Sequence, residues 1–129
     1  IQEGIVPGGG VALLRCEDAV KNARYKGEEK FGADIVHRSL SAPLRQLADN
    51  AGCDGSVVAE NVREKAKSAG YNALEGKYVD MFKAGIIDPA KVVRAALQNA
   101  ASIAGLLLTT DTMVTELKSD DEGISGSLS

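Results

Sequence analysis

The chain has 129 residues, of which 44 % are hydrophobic and 26 % charged, and its net charge is −3. That is enough for one domain with a buried core. The acidic balance, with no Arg/Lys cluster interleaved with aromatics, argues against a nucleic-acid surface. Aromatic residues make up only 4 % and Trp is absent, so the core must draw on Ala, Val, Leu and Ile, which suits closely packed helices.

In chain order, Ile5-Val6-Pro7 is a short apolar stretch that runs into the turn Gly8-Gly9-Gly10. A helix follows from Val11 to about Ala23, with Val11, Leu14 and Val20 on one face. The segment from Glu28 to about Ala51 reads as a long helix, with Phe31, Ile35, Val36, Leu40, Leu44 and Leu47 at helical steps. Pro43 inside it predicts a kink or a split. Ser56 is the expected N-cap of a third helix through about Ser68, striped by Val58, Val62 and Ala66.

Residues 71–79 read as loops with a minor β element. Asp88-Pro89 opens the clearest helix, about 89–110, because Asp suits the N-cap and Pro the first helical position. Val93, Ala96, Leu97, Ala100, Ala104, Leu107 and Leu108 line it, and a helix this apolar is expected to be central and buried. Over 112–117 the apolar period changes to two, which reads as a strand. Residues 118–129 are acidic and then Gly/Ser-rich, as in a disordered tail. The fold class expected is therefore all-α, a bundle of four to five helices with minor β elements at 71–79 and 112–117.

Cys16 and Cys53 form no CxxC pair and no metal spacing, so two free thiols in a reducing cytosol are expected. The longest unbroken apolar run, Ile103 to Leu108, is far short of the ~20 residues that cross a bilayer, so no membrane partner is expected. The opening Ile1-Gln2-Glu3-Gly4 has no initiator Met and no signal-peptide pattern, and suggests a piece cut from a longer chain.

Three segments together resemble the group I, GroEL-type chaperonins. Glu3-Gly4-Ile5-Val6-Pro7-Gly8-Gly9-Gly10 matches the EGxVxGGG turn of that family. Gly70-Tyr71-Asn72-Ala73 matches its GYNA motif, and Gly85-Ile86-Ile87-Asp88-Pro89-Ala90-Lys91-Val92 matches GIxDPxKV. Their order and spacing agree, and the likeness extends to about Leu117. The resemblance implies that residues 1–117 are the C-terminal half of an equatorial, ATP-binding domain. It implies that Gly9 approaches the ribose, that Asn72 and Ala73 sit by the adenine, that Ile86 packs on the base and that Asp88 binds the ribose hydroxyls. Gly8 and Gly10 would support the turn near the phosphates, and Arg45 and Asp54 would lie at a contact between two rings.

Physical chemistry fits those roles. A Gly-rich turn opening a helix lets backbone approach a ligand. A carboxylate suits a pair of hydroxyls, and an amide can donate to and accept from a purine edge. Each residue also has a plainer reading: a tight turn for Gly8 to Gly10, a turn residue for Asn72, core for Ile86, an N-cap for Asp88, and a solvated pair for Arg45 and Asp54.

The resemblance also says what is missing. Phosphoryl transfer needs a triphosphate grip, a metal site and a water-orienting carboxylate. In the family these lie upstream, with the client-binding and hinge regions. The whole subunit is thus expected to be an ATP- and Mg2+-dependent protein-folding chaperone. It would work in a heptameric ring with a cochaperonin, in the cytoplasm or an organellar matrix. This chain alone is expected to have no catalytic residue, no metal, no tightly bound cofactor and no hydrolysis, and to self-associate. The alternative is a self-standing helical interaction module without nucleotide chemistry. Leu74, where many relatives carry a small residue, puts the shape of the adenine side in question.

Overall fold

In a computed structural model, the structure describes the backbone of residues 3–127 and the side chains of residues 3–110. Contacts divide the chain into two units, Ile1–Val93 and Arg94–Ser129. The first unit holds β1 (Ile5–Pro7), α1 (Val11–Arg15), α2 (Glu17–Asn22), α3 (Glu29–Ser39), α4 (Ala42–Asn50), α5 (Gly55–Arg63), β2 (Ala69–Asn72), β3 (Lys77–Asp80) and β4 (Ile87–Pro89). The last element, α6 (Ala90–Ser127), starts at the end of the first unit and makes up the second. The fold is mostly helical, with two small antiparallel β pairs.

Its core is the cluster Val11, Leu14, Leu44, Ala48, Val58, Ala59, Val62 and Met81, all buried. No aromatic ring belongs to this cluster, as the composition requires. Tyr71 and Tyr78 pack only against its rim, with ring centroids 5.3 Å apart. Two glycines allow the tight packing of α4 against its neighbours. A Cβ at Gly55 would fall on the Arg45 carbonyl, so α5 can start directly on the backbone of α4. Gly10 has φ of 81°, and a Cβ there would lie 2.6 Å from the Leu44 nitrogen.

Pro43 acts as the sequence suggests but by splitting the helix rather than bending it. α3 ends at Ser39, and α4 begins at Ala42 with Pro43 in its first turn, where the missing N–H would have had no helical partner. The helix expected over 11–23 is likewise two helices, broken at Cys16. Asp54, not Ser56, caps α5: its carboxylate accepts from the N–H groups of Ser56 and Val57. The helix then starts at Gly55 and ends at Arg63.

The C-terminal end differs more. The strand expected at 112–117 is helix, because α6 runs Ala90–Ser127 and spans those residues. A single strand leaves its backbone groups unpaired unless another strand meets it, whereas a helix satisfies them locally. The helical backbone also continues through residues 118–127, where composition suggests a tail. The face expected to be buried is largely open: Val93 is half-buried, but Leu97, Leu107 and Leu108 are 40 %, 64 % and 69 % exposed. Residues Ala90–Thr110 are, by length and hydropathy alone, apolar enough to cross a membrane, a property the search for unbroken apolar runs overlooks.

Candidate nucleotide-binding site

Two β pairs gather the three motifs. β1 and β4 pair antiparallel, with Val6 opposite Asp88 and Pro7 opposite Ile87. The Gly8 N–H then donates to the Ile86 carbonyl at 2.9 Å. A Cβ at Gly8 would press on Ile86 at 3.2 Å, so a larger residue would push the turn and Ile86 slightly apart. Gly9 follows with φ of 67°, in the left-handed region that glycine adopts without strain. Its nearest neighbours are the Met81 Cε and the Tyr71 carbonyl. The Gly-rich turn is therefore bonded to the Ile86 segment and lies beside the backbone of Tyr71.

The second pair is the β2–β3 hairpin, with Tyr71 opposite Tyr78 and Asn72 opposite Lys77. It agrees with the β element expected at 71–79. Asn72 closes the hairpin: its Oδ1 accepts from the N–H groups of Leu74 and Glu75 at 3.1 and 3.4 Å. This is an Asx turn. It uses the carbonyl end of the side chain and leaves the amide end for a donor role. Ala73 is exposed at the hairpin tip. Leu74 is 99 % exposed, so it faces solvent in this chain and fills no pocket.

Hydrogen bonds fix the hairpin. Asp80 accepts from the Lys83 N–H at 3.1 Å and from the Ser68 hydroxyl at 2.9 Å. These bonds, the Lys83 one first, hold its carboxyl below the usual carboxylate range. At the other end the Cys53 thiol meets the Tyr71 hydroxyl at 3.0 Å, which pushes the phenol up. Met81, fully buried, donates its N–H to the Ser68 carbonyl and accepts from the Ile86 N–H, so backbone bonds tie the hairpin to the segment that leads into β4.

Asp88 is the most informative position. It is half-buried on β4, and its carboxylate makes no hydrogen bond or ion pair among the described residues. The expected N-cap role is not taken up. Pro89 stays in the strand, α6 starts one residue later, and the Ala90 N–H donates to the Gly4 carbonyl at 3.0 Å. The carboxylate beside the Gly-rich turn is therefore free to accept from a ligand. Ile86 is half-buried next to it and packs against the core.

Arg45 and Asp54 are not brought together as a pair. Asp54 is occupied by its cap, and the Arg45 Nε is buried without a hydrogen-bond partner. Among the described residues no group of three or more His, Cys, Asp or Glu gathers as a metal site would need.

Sequence reasoning missed two side chains that organise the scaffold. Arg15 sends its guanidinium to the C-terminal end of α5, donating to the Val62 carbonyl at 2.9 Å and the Ala66 carbonyl at 2.8 Å. Partial burial lowers its pKa, but a cation at a helix C-terminus meets the negative end of the dipole. Arg63 makes two bonds to buried Glu17, at 2.9 and 3.0 Å, and a third to Glu60. The bonds to Glu17 raise its pKa. The one cue for these bonds is a Glu amid the apolar positions of the first helical segment, which demands a buried cation.

Residues 1–118 match the model of the TCP-1/cpn60 chaperonin family. Among solved structures, a group III chaperonin in the open state is 30 % identical, with a TM-score of 0.77 over 84 % of this chain. An open-state monomer of a group II chaperonin from Methanococcoides burtonii is 28 % identical, with a TM-score of 0.68 over 81 % of this chain. The chain spans only 23 % and 27 % of those two proteins.

Proposed function

Because the chain belongs to the TCP-1/cpn60 chaperonin family, we propose that it supplies the adenosine side of an ATP pocket in a ring-forming protein-folding subunit. The observation that carries this reading is the β1–β4 pair, which seats the turn Gly8 to Gly10 against Ile86 and leaves the Asp88 carboxylate unpartnered beside it. On this reading Asp88 accepts from the two ribose hydroxyls. Gly9 lets the backbone approach the sugar, and Ile86 offers an apolar surface to the base. Asn72 and Ala73 meet the edge of the adenine. Mg-ATP would supply the energy of the folding cycle. The triphosphate and its metal need donors that this chain does not hold, so Gly8 and Gly10 contribute only the turn on that side.

The group I proposal, and with it a sevenfold ring, is supported by the GYNA and GIxDPxKV segments alone, whereas the solved structures above are group III and group II chaperonins; a cytoplasmic or organellar compartment is part of the same proposal. Within the ring, the open face of α6 and the exposed Phe31 and Ile35 suit protein surfaces. The same need favours self-association of the chain alone. Arg45, which has no ion pair among the described residues, fits a carboxylate of another ring. The length and hydropathy of Ala90–Thr110 also satisfy a membrane span, but the family match covers that helix and favours packing against protein.

Thermal unfolding with millimolar Mg-ATP or Mg-ADP tests the pocket. A ligand that binds only the folded state raises the midpoint. A rise of several degrees in the wild-type chain, abolished in Asp88→Ala, is expected. An equal rise in Asp88→Ala would remove the ribose role from this residue.

A further inference from the structure

We propose that Met81 is the positioning residue of the adenosine site: its side chain backs the Gly-rich turn, and its length sets how tightly a nucleotide is held. This rests on the nucleotide reading above and adds to it a residue outside the three motifs. Met81 directly follows β3 and is fully buried. Its backbone is tied on both sides, donating to the Ser68 carbonyl at 2.9 Å and accepting from the Ile86 N–H at 2.9 Å. Asp80 beside it is held by the Ser68 hydroxyl and the Lys83 N–H. The side chain therefore starts from a fixed point.

Along its length it meets a glycine from each of the other two motifs. Its Cγ and Sδ lie 2.8 and 2.9 Å from where a Cβ on Gly70 would be, and its terminal Cε lies 2.8 Å from where a Cβ on Gly9 would be. The thioether thus fills the space that side chains at both positions would need, while the Met81 carbonyl holds Ile86. Val11, the first residue of α1, closes on the same point of Gly70 through its Cγ2. Methionine is the adaptable filler of protein cores, but a close-packed site feels a change of one methylene. Leucine has a similar volume, ends one atom sooner and branches at Cγ. From the same backbone it falls short of Gly9 and crowds Gly70. The turn then loses its backing, and a glycine backbone has many other conformations to adopt. Affinity falls by the fraction of the chain that leaves the binding-competent turn.

Backbone amide spectra of the whole chain, titrated with Mg-ADP, read the site at Gly9 and the core elsewhere. Met81→Leu, a swap that cores tolerate, is expected to move the Gly9 and Gly70 signals before ligand is added. It is also expected to weaken Mg-ADP binding about fivefold. Val58→Ala, a core variant on α5 outside the three motifs, is expected to lower the unfolding midpoint at least as far and to leave affinity within about twofold. Norleucine in place of both methionines, Met81 and Met113, keeps the length without the sulfur and is expected to bind as the wild type does. A Met81→Leu chain that binds Mg-ADP like the wild type, or a Val58→Ala chain weakened equally, would overturn the positioning role and leave the nucleotide reading standing. A wild-type chain whose amides ignore Mg-ADP would overturn that reading and the positioning role with it.

Discussion

α3 and α4 come from one continuous apolar pattern, yet they end in opposite environments. α4 buries Leu44 and Ala48 against Val58, Ala59 and Val62 of α5. α3 buries nothing between Glu29 and Ser39, and Phe31 and Ile35 are 70 % and 69 % exposed. Both helices are amphipathic in sequence. What separates them is a neighbour that can come close. Gly55 and Gly10 remove the Cβ atoms that would hold α5 and the start of α1 away from α4, and α3 has no such approach. An apolar stripe thus states a need for burial, and small residues elsewhere in the chain decide whether the chain itself meets it.

The comparison can be broken most sharply at Leu44. Leu44→Ala should lower stability to urea by about 3 kcal/mol, since the residue is 2 % exposed and its site is held by two helices. A loss below about 1 kcal/mol would mean that α4 and α5 are not the centre of the fold. Next in size is Asp54→Ala, expected to cost about 1 kcal/mol through loss of the two cap bonds to Ser56 and Val57. Chemical denaturation with far-ultraviolet circular dichroism measures it, and Ser56→Ala, which removes no cap, is the control. The smallest effect belongs to α3. Ile35→Ser should change stability by less than about 0.5 kcal/mol in dilute solution. A larger change that grows with protein concentration in sedimentation would show that copies of the chain cover this face for one another.

The sequence made local features legible and long-range ones only by resemblance. Pro43, the hairpin around Asn72 and the start of a helix near Asp88 all carry signals within a few residues. The exchange of Ser56 for Asp54 as cap is a shift of two positions between two good capping residues, and the tie-break is the packing of Gly55 on Arg45. No period or turn signal joins Val6 to Asp88 or Arg15 to the end of α5, because those contacts are chosen by the assembled core. The motif residues were found as a set and the structure gathers Gly8, Gly9, Ile86 and Asp88 around one strand pair, but no property of the isolated chain betrays that pairing. The strand reading of 112–117 failed for a related reason. Met113, Val114 and Leu117 stand at i, i+1 and i+4, which suits a helix as well as the alternation of Met113, Thr115 and Leu117 suits a strand, and the larger pattern in which they sit is helical.

The pairing of Val6 with Asp88 joins positions about 80 residues apart. On a ribosome adding 5–20 residues per second, roughly 4 to 16 s pass between the emergence of the two strands. During that interval β1 is a short extended segment ending in three glycines, with no edge to dock on. Helices α4 and α5 and the β2–β3 hairpin can form from near neighbours in the meantime, since contacts close in sequence form first. The strand pair on which we propose the nucleotide rests is therefore assembled after the core of the first unit, and a nascent chain stalled before Ile87 would hold a nearly complete core with β1 still unpaired.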